Sequence, residues 1–559
     1  MDGAIFRNFS IQNGFGFWKP SFDLLYRLAL VATIAVIYAP SLRHPPRADH
    51  WCFLNDTVSH HEVLDAVESS YSYTRTRQTL PGDTGLYRPV LFGLLAVERA
   101  LLEGDLKSTQ MIGVILHSCV CLLLLSLLRR IETVIRFHRQ PQTAPIPAPP
   151  TSSFLPYAMT AFFALSPAIV EMVIWSHLHG YLLFVVLMLG SVNLLFRHIS
   201  GPGAGNLLCA NLWGGLILAL VSAFTYELGQ FYAVVVGFFL AAVVYPRNGG
   251  IRALGLVAVF VGVMILYQAA NKHDFRLHRG QFTPDNHLPE IERNALKIHT
   301  LTHSARFVLY TNVQPFCPSL LRFWASGDRL NVNEVFWLDP ILDRCGFRDV
   351  GFALLFALFV SFGMVGLWGL LRRGERLPFL IILLFFGTCS VYAALNILGR
   401  MNLRPGPDCL CSNSYYSYMG LLFGLTIWCT LMQGLPRIKG YPTTVAWKAM
   451  LVGLVALTIH GGIQVRLINS RFSDLMLGMS APIRAVHKFV QQHRNEQDFS
   501  LTIDYRSSDP VPMRYGKPVT DMIFSRWIDP NAKYRIAIRH RAAVVIEVRA
   551  PENLAQASQ

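Results

Sequence analysis

A scattered set of ionisable side chains stands where chemistry at a membrane surface could be done. Asp49 follows the first long apolar run in Arg47-Ala48-Asp49-His50-Trp51, and Asp56 comes shortly after in Asn55-Asp56-Thr57. Glu171 and Glu227 fall where later apolar runs end, His177 and His179 follow Trp175, and Arg88 and Arg400 flank other runs. A carboxylate just outside the hydrocarbon can take the proton of an attacking hydroxyl. A guanidinium can grip a phosphate through its planar fork of N–H donors, and two histidines can hold a phosphate or a metal. Each also has a plainer reading: a loop aspartate capping a turn, a helix-end glutamate in an ion pair, a histidine packed at a polar interface, or an arginine reaching up to headgroups. The histidines His44, His50, His60 and His61, with Glu62, could assemble a metal site, but no ligand spacing supports one, so a divalent metal is left open. Asn55-Asp56-Thr57 is also a formal glycosylation sequon.

The elements that must position these groups are apolar helices. Of the 559 residues 52% are hydrophobic and 15% charged, against about 25% charged in soluble domains; mean hydropathy is +0.38. The runs near 21–40, 108–128, 154–174, 178–196, 207–224, 227–245, 251–270, 350–371, 377–396, 415–434 and 445–463 approach the ~20 residues that cross a bilayer. About eleven spans are expected, an all-α polytopic bundle. With that count Arg129, Arg130, Arg136, Arg139, Arg197, Arg247, Arg252, Arg372, Arg373, Arg376, Arg437 and Lys439 all fall on one face, which the positive-inside rule makes cytoplasmic. The net charge of +15 is then a membrane signature, and no nucleic-acid module is visible.

Residues 1–20 become a cytoplasmic N-terminus and 21–463 the bundle. The outer loops are 41–107, 271–349 and 397–414, and 464–559 form a small external α/β domain. In that domain a helix is expected over 483–493 and strands near 499–503, 534–538 and 542–548. The Pro-rich stretch 139–153 reads as an extended cytoplasmic linker. Val90, Leu94, Val97 and Leu101 recur at helical spacing, which suggests an amphipathic helix lying at the outer interface. Cys52, Cys317, Cys345, Cys409 and Cys411 fall on the outer side, where disulfides are permitted; their pairing is not deducible. The first span lacks a cleavage pattern and is expected to stay in the mature chain.

Four short stretches, taken in order, carry a resemblance: Tyr87-Arg88-Pro89, Leu116-His117, Ser166-Pro167…Glu171…Trp175, and Thr225-Tyr226-Glu227. Together they resemble the multi-spanning C-type (GT-C) membrane glycosyltransferases, in particular the branch similar to O-mannosyltransferases. The likeness covers roughly the first 230 residues. His179-Gly180-Tyr181 stands where that branch has Arg-Ala-Asp, Tyr226 where it has Lys, and Asp49-His50 where it often has two acids.

The resemblance implies transfer of a sugar from a polyprenyl-phosphate donor to a glycan, lipid or protein acceptor on the outer (periplasmic or lumenal) face, by inversion and with Asp49 as base. Asp56 is the reserve acid. Glu171, Glu227, His177 and His179 become candidates for substrate contact, and Arg88 and Arg400 for the lipid phosphate. A bacterial inner membrane is expected, with the endoplasmic reticulum as the alternative. Two other functions stay open. The altered motifs suit a catalytically silent scaffold or assembly subunit. A transporter is the rival class, although transporters place ionisable groups near the midplane, whereas here they gather at span ends and the outer loops are large.

Overall fold

The computed structural model describes residues 19–43, 87–102, 106–139, 154–175, 178–200, 209–277, 308, 347–400, 414–434, 451–470, 498–505, 533–540 and 545–549. Its helices, in chain order, are α1 (Lys19–Tyr38), α2 (Pro89–Leu102), α3 (Leu106–Arg139), α4 (Leu155–Ala164), α5 (Val170–Ile174) and α6 (His179–Ser200). They continue with α7 (Ala210–Thr225), α8 (Leu228–Asn248), α9 (Gly250–Leu277), α10 (Phe347–Arg372), α11 (Arg376–Arg400), α12 (Ser414–Gly434) and α13 (Leu451–Ser470). Seven helices among the described residues are long and apolar enough to cross a membrane, eight if α4 and α5 form one bent span, and α7 and the Ser417–Met432 stretch of α12 are shorter apolar helices. Large apolar side chains such as Leu24, Leu28, Ile251, Leu254 and Trp368 face outward. In water such a surface would drive association; against lipid it is the ordinary exterior of a bundle. The chain is a polytopic membrane protein.

Close approach between helices rests on small residues, as expected where lipid supplies no hydrophobic drive between them. A Cβ on Gly215 would sit 2.7 Å from the Leu195 side chain, and one on Gly237 the same distance from Phe260. Polar side chains then bond across the gaps. Ser191 donates to the Gly215 carbonyl at 2.7 Å, Asn193 to the Leu123 carbonyl at 3.0 Å, and Gln268 to Gln230 at 2.7 Å.

Several elements differ from their expected form: α3 continues as helix to Arg139, past the expected end at 128, and α9 to Leu277, past 270. The span expected at 154–174 is bent by 53° between α4 and the Pro167–Ile174 segment. Pro167 has no N–H and excludes helical geometry from the residue before it. Ser166 accordingly lies extended (ψ 131°) and its hydroxyl caps the Ala168 N–H at 3.3 Å, opening a short 3-10 turn, Pro167–Ile169. α13 runs to Ser470, past the expected end at 463, because Val465 and Ile468 are buried and Arg466 and Asn469 donate to the Val36 and Ile37 carbonyls of α1. α2, the helix expected at the outer interface, packs on α6 and α7. Its buried face is Leu91, Phe92, Leu95 and Glu98, while Val90, Leu94 and Val97 are half-buried and the Leu101 side chain lies outside the described residues.

β1 (Asp498–Tyr505) pairs parallel with β2 (Lys533–His540), which pairs antiparallel with β3 (Val545–Arg549). These strands fall close to the expected runs. The expected helix at 483–493 lies outside the described residues.

Candidate functional site

Polar groups collect at the end of the bundle where α2, α6 and the α7–α8 turn meet. The turn is tight. α7 stops at Thr225, and Tyr226 is extended (φ −152°, ψ 135°) with its N–H on the Ser222 carbonyl at 3.0 Å. The Gly229 N–H returns to the Tyr226 carbonyl at 2.8 Å. A Cβ on Gly229 would stand 2.4 Å from the Ala223 backbone nitrogen, so the reversal requires glycine. This geometry presents Glu227 to the head of α2.

There Arg88 donates from Nε to one Glu227 oxygen at 2.7 Å and from Nη2 to the other at 2.6 Å. The pair is bidentate and mostly buried, at 17% and 24% side-chain exposure, which makes it a strong charge-assisted contact. The guanidinium also lies 4.2 Å from the centre of the Tyr226 ring. Burial acts to lower the Arg88 pKa, but Glu227, then Tyr226, outweigh it and hold the guanidinium above the ordinary arginine value. Tyr267 of α9 donates to the Tyr87 carbonyl at 3.1 Å, and the Tyr87, Phe224 and Tyr267 rings pack edge to face or tilted. On the other side Tyr226 meets Tyr181, which also faces Tyr392 of α11.

A second buried pair lies further along α2. His179, the first residue of α6, places Nδ1 3.0 and 3.1 Å from the two Glu98 oxygens of α2. His179 is fully buried and Glu98 is 5% exposed. A carboxylate at Nδ1 keeps the proton on that nitrogen. Nε2 has no hydrogen-bond partner among the described residues. It faces α3 at Gly113, where a Cβ would stand 2.9 Å from Nε2 and 2.5 Å from the Val173 carbonyl oxygen. Gly113 is what lets α3, α5 and α6 close on one another. Glu171, in α5 just beyond the Pro167 bend, is fully buried.

His117, singled out in Leu116-His117, is enclosed rather than presented. Its Nδ1 lies 3.0 Å from the Tyr418 hydroxyl and its Nε2 3.3 Å from the Ala164 carbonyl, with the Tyr38 and Phe163 rings against it. It ties α3 to α12 at the C-terminal end of α4.

The structure thus joins Arg88 to Glu227 and sets His179 and Glu171 in neighbouring elements. Asp49, Asp56 and His177 lie outside the described residues, as do His44, His50, His60, His61, Glu62 and the five outer cysteines. Arg400 is the last residue of α11, its side chain outside the described set. Among the described residues no group of three or more His, Cys, Asp or Glu is placed to hold a metal. Glu98, Tyr181 and Tyr267 were not among the candidate residues. For Glu98 the signal was available: it lies seven residues after Leu91 and three after Leu95, on the stripe that α2 buries.

The fold and these paired charges define a polytopic helical membrane protein with a polar cluster at one end of its bundle. No family model, curated protein or solved structure matches the chain.

Proposed function

We propose that this protein is a membrane glycosyltransferase. It would use a polyprenyl-phosphate sugar and deliver the sugar to an acceptor at the outer face. The observation that carries the reading is the Arg88–Glu227 pair, which brings two of the family-like stretches, 139 residues apart in sequence, into one contact. The bent span carrying a third, Ser166-Pro167…Glu171, packs against α3, α6 and α12.

In this reading Asp49 is the base. It lies six residues beyond Arg43, where the described part of the α1 segment ends, and six residues of chain reach at most ~20 Å. Its carboxylate takes the acceptor hydroxyl proton as that oxygen bonds to the anomeric carbon. The bond from that carbon to the phosphate oxygen breaks, polyprenyl phosphate leaves with the electron pair, and the anomeric configuration inverts. The leaving anion needs positive charge rather than a proton, and we assign that part to Arg400. Arg88, engaged by Glu227, holds α2 against the α7–α8 turn.

The accompanying topology is eleven spans, counting α4–α5 as one and adding α7, α10 and α12. The N-terminus is cytoplasmic, and β1–β3 belong to a small external α/β domain, in a bacterial inner membrane. Parallel packing of the ends supports the count. Residues near the C-terminal end of α13 meet those near the C-terminal end of α1, as an odd number of crossings requires.

The test is transfer in proteoliposomes from a panel of polyprenyl-phosphate hexoses. Asp49→Asn is expected to abolish transfer while leaving membrane insertion unchanged. Full activity in that variant would remove Asp49 as the base, and no turnover of any donor by the wild type would remove the enzyme reading.

A silent relative that serves as a scaffold is the second reading. The observation favouring it is that the described family-like charges satisfy one another, Arg88 with Glu227 and His179 with Glu98.

A further inference from the structure

We propose that a cavity at the opposite end of the bundle is a binding site for an anionic phospholipid. It has a volume of about 790 Å³ and lies among α3, α8, α9 and the α10–α11 turn, within the ~300–1,000 Å³ common for small-molecule sites. Its walls are apolar, formed by Ile135, Ala242, Ala253 and Leu380 among others. Phe238 and Tyr245 of α8 also line it and are 58% and 62% exposed, so on that side the cavity opens along a lipid-facing helix surface. Acyl chain can enter from the bilayer there, as a soluble anion would have no reason to.

The mouth is basic and fixed. α10 ends in a Schellman turn: Gly374 adopts φ +64°, its N–H reaches the Leu371 carbonyl at 3.0 Å, and the Glu375 N–H reaches the Leu370 carbonyl at 3.1 Å. The turn sets Arg373 against Glu375 at 2.8 Å and leaves exposed Arg376 to open α11 on the cavity rim. Arg372, Arg373 and Arg376 against Glu375 give this five-residue stretch a charge of +2 (three minus one). A basic mouth above an apolar groove complements a phosphate headgroup with net negative charge, whereas a zwitterionic headgroup brings its own cation to a site already positive. This end also carries Arg129, two turns before Ile135 on α3, as the proposed cytoplasmic orientation requires. The site stands whether or not the protein transfers sugar.

The experiment reconstitutes the full chain in nanodiscs of equimolar phosphatidylglycerol and phosphatidylcholine, extracts it into mild detergent, and measures the retained lipids by mass spectrometry. Wild-type protein is expected to enrich phosphatidylglycerol about fivefold, the contribution of one basic residue near an anionic headgroup. Enrichment should fall toward parity in Arg376→Gln, an exposed position that does not test folding, and in Ala242→Trp, which fills the groove. Lys272→Gln, the same loss of charge at the far end of α9, should keep it. Parity in the wild type, or unchanged enrichment in Arg376→Gln, overturns the proposal. Displacement of the lipid by inorganic phosphate overturns it in favour of a free-phosphate site.

Discussion

Arg88 and Glu227 each make a reading that neither makes alone. An arginine before Pro89 reads as headgroup snorkelling, and a glutamate at a helix end reads as a binding group; placed together they cancel each other's desolvation cost. Breaking such a pair from one side leaves an uncompensated charge in a mostly buried place. Arg88→Gln and Glu227→Gln are each expected to lower stability by about 2–4 kcal/mol. The double variant should be less damaging than the sum of the two, with a coupling of ~1–3 kcal/mol. Thermal unfolding of the four proteins in one detergent checks this, and additive losses would show that the contact contributes nothing. The His179–Glu98 pair makes the same point about legibility. His179 was visible from sequence as a polar residue after Trp175, but the partner that fixes its tautomer lies 81 residues earlier.

At the level of elements, the ends of the helices were written in the chain more plainly than their faces. Pro167, with Ser166 before it, stops α4, although its apolar run reads as one span over 154–174, and Gly374 stops α10. The α7–α8 reversal depends on a glycine whose missing side chain leaves room for backbone. Gly229→Ala would drive a methyl into the Ala223 amide, and with backbone as the obstacle no rotamer change relieves it. A loss of about 1–3 kcal/mol is expected, together with displacement of Glu227 from Arg88. A cysteine cross-link across that contact, or thermal unfolding, would register it, and a wild-type melting temperature would count against the turn geometry. The face of α2 was harder to read. Its apolar residues nearly surround the helix, so periodicity alone offered Val90, Leu94 and Val97 as readily as Leu91 and Leu95. Glu98 decided the matter by needing His179.

For the whole molecule, the end opposite the site is tied by one carboxylate. Asp23 of α1 accepts from Arg27 at 2.9 Å, from Arg129 of α3 at 2.5 Å and from the Tyr157 hydroxyl of α4 at 3.2 Å. α1 otherwise shows most of its surface to lipid, so this network carries much of its attachment at that end. Asp23→Asn is expected to weaken it by about 1–3 kcal/mol, the cost of leaving Arg129 without its counter-charge. Thermal unfolding in one detergent checks this; an unchanged melting temperature would place the anchorage of α1 in Tyr38, Arg466 and Asn469 instead.

The chain by itself determined that the protein crosses a membrane repeatedly and roughly where its apolar helices lie. Both follow from a local sum, hydropathy over a window. Which charges meet was decided only by tertiary structure. A pairing such as Arg88 with Glu227 depends on how α2, α7 and α8 pack, and packing between apolar helices in lipid is set by small residues and shape, which leave no periodic trace in sequence.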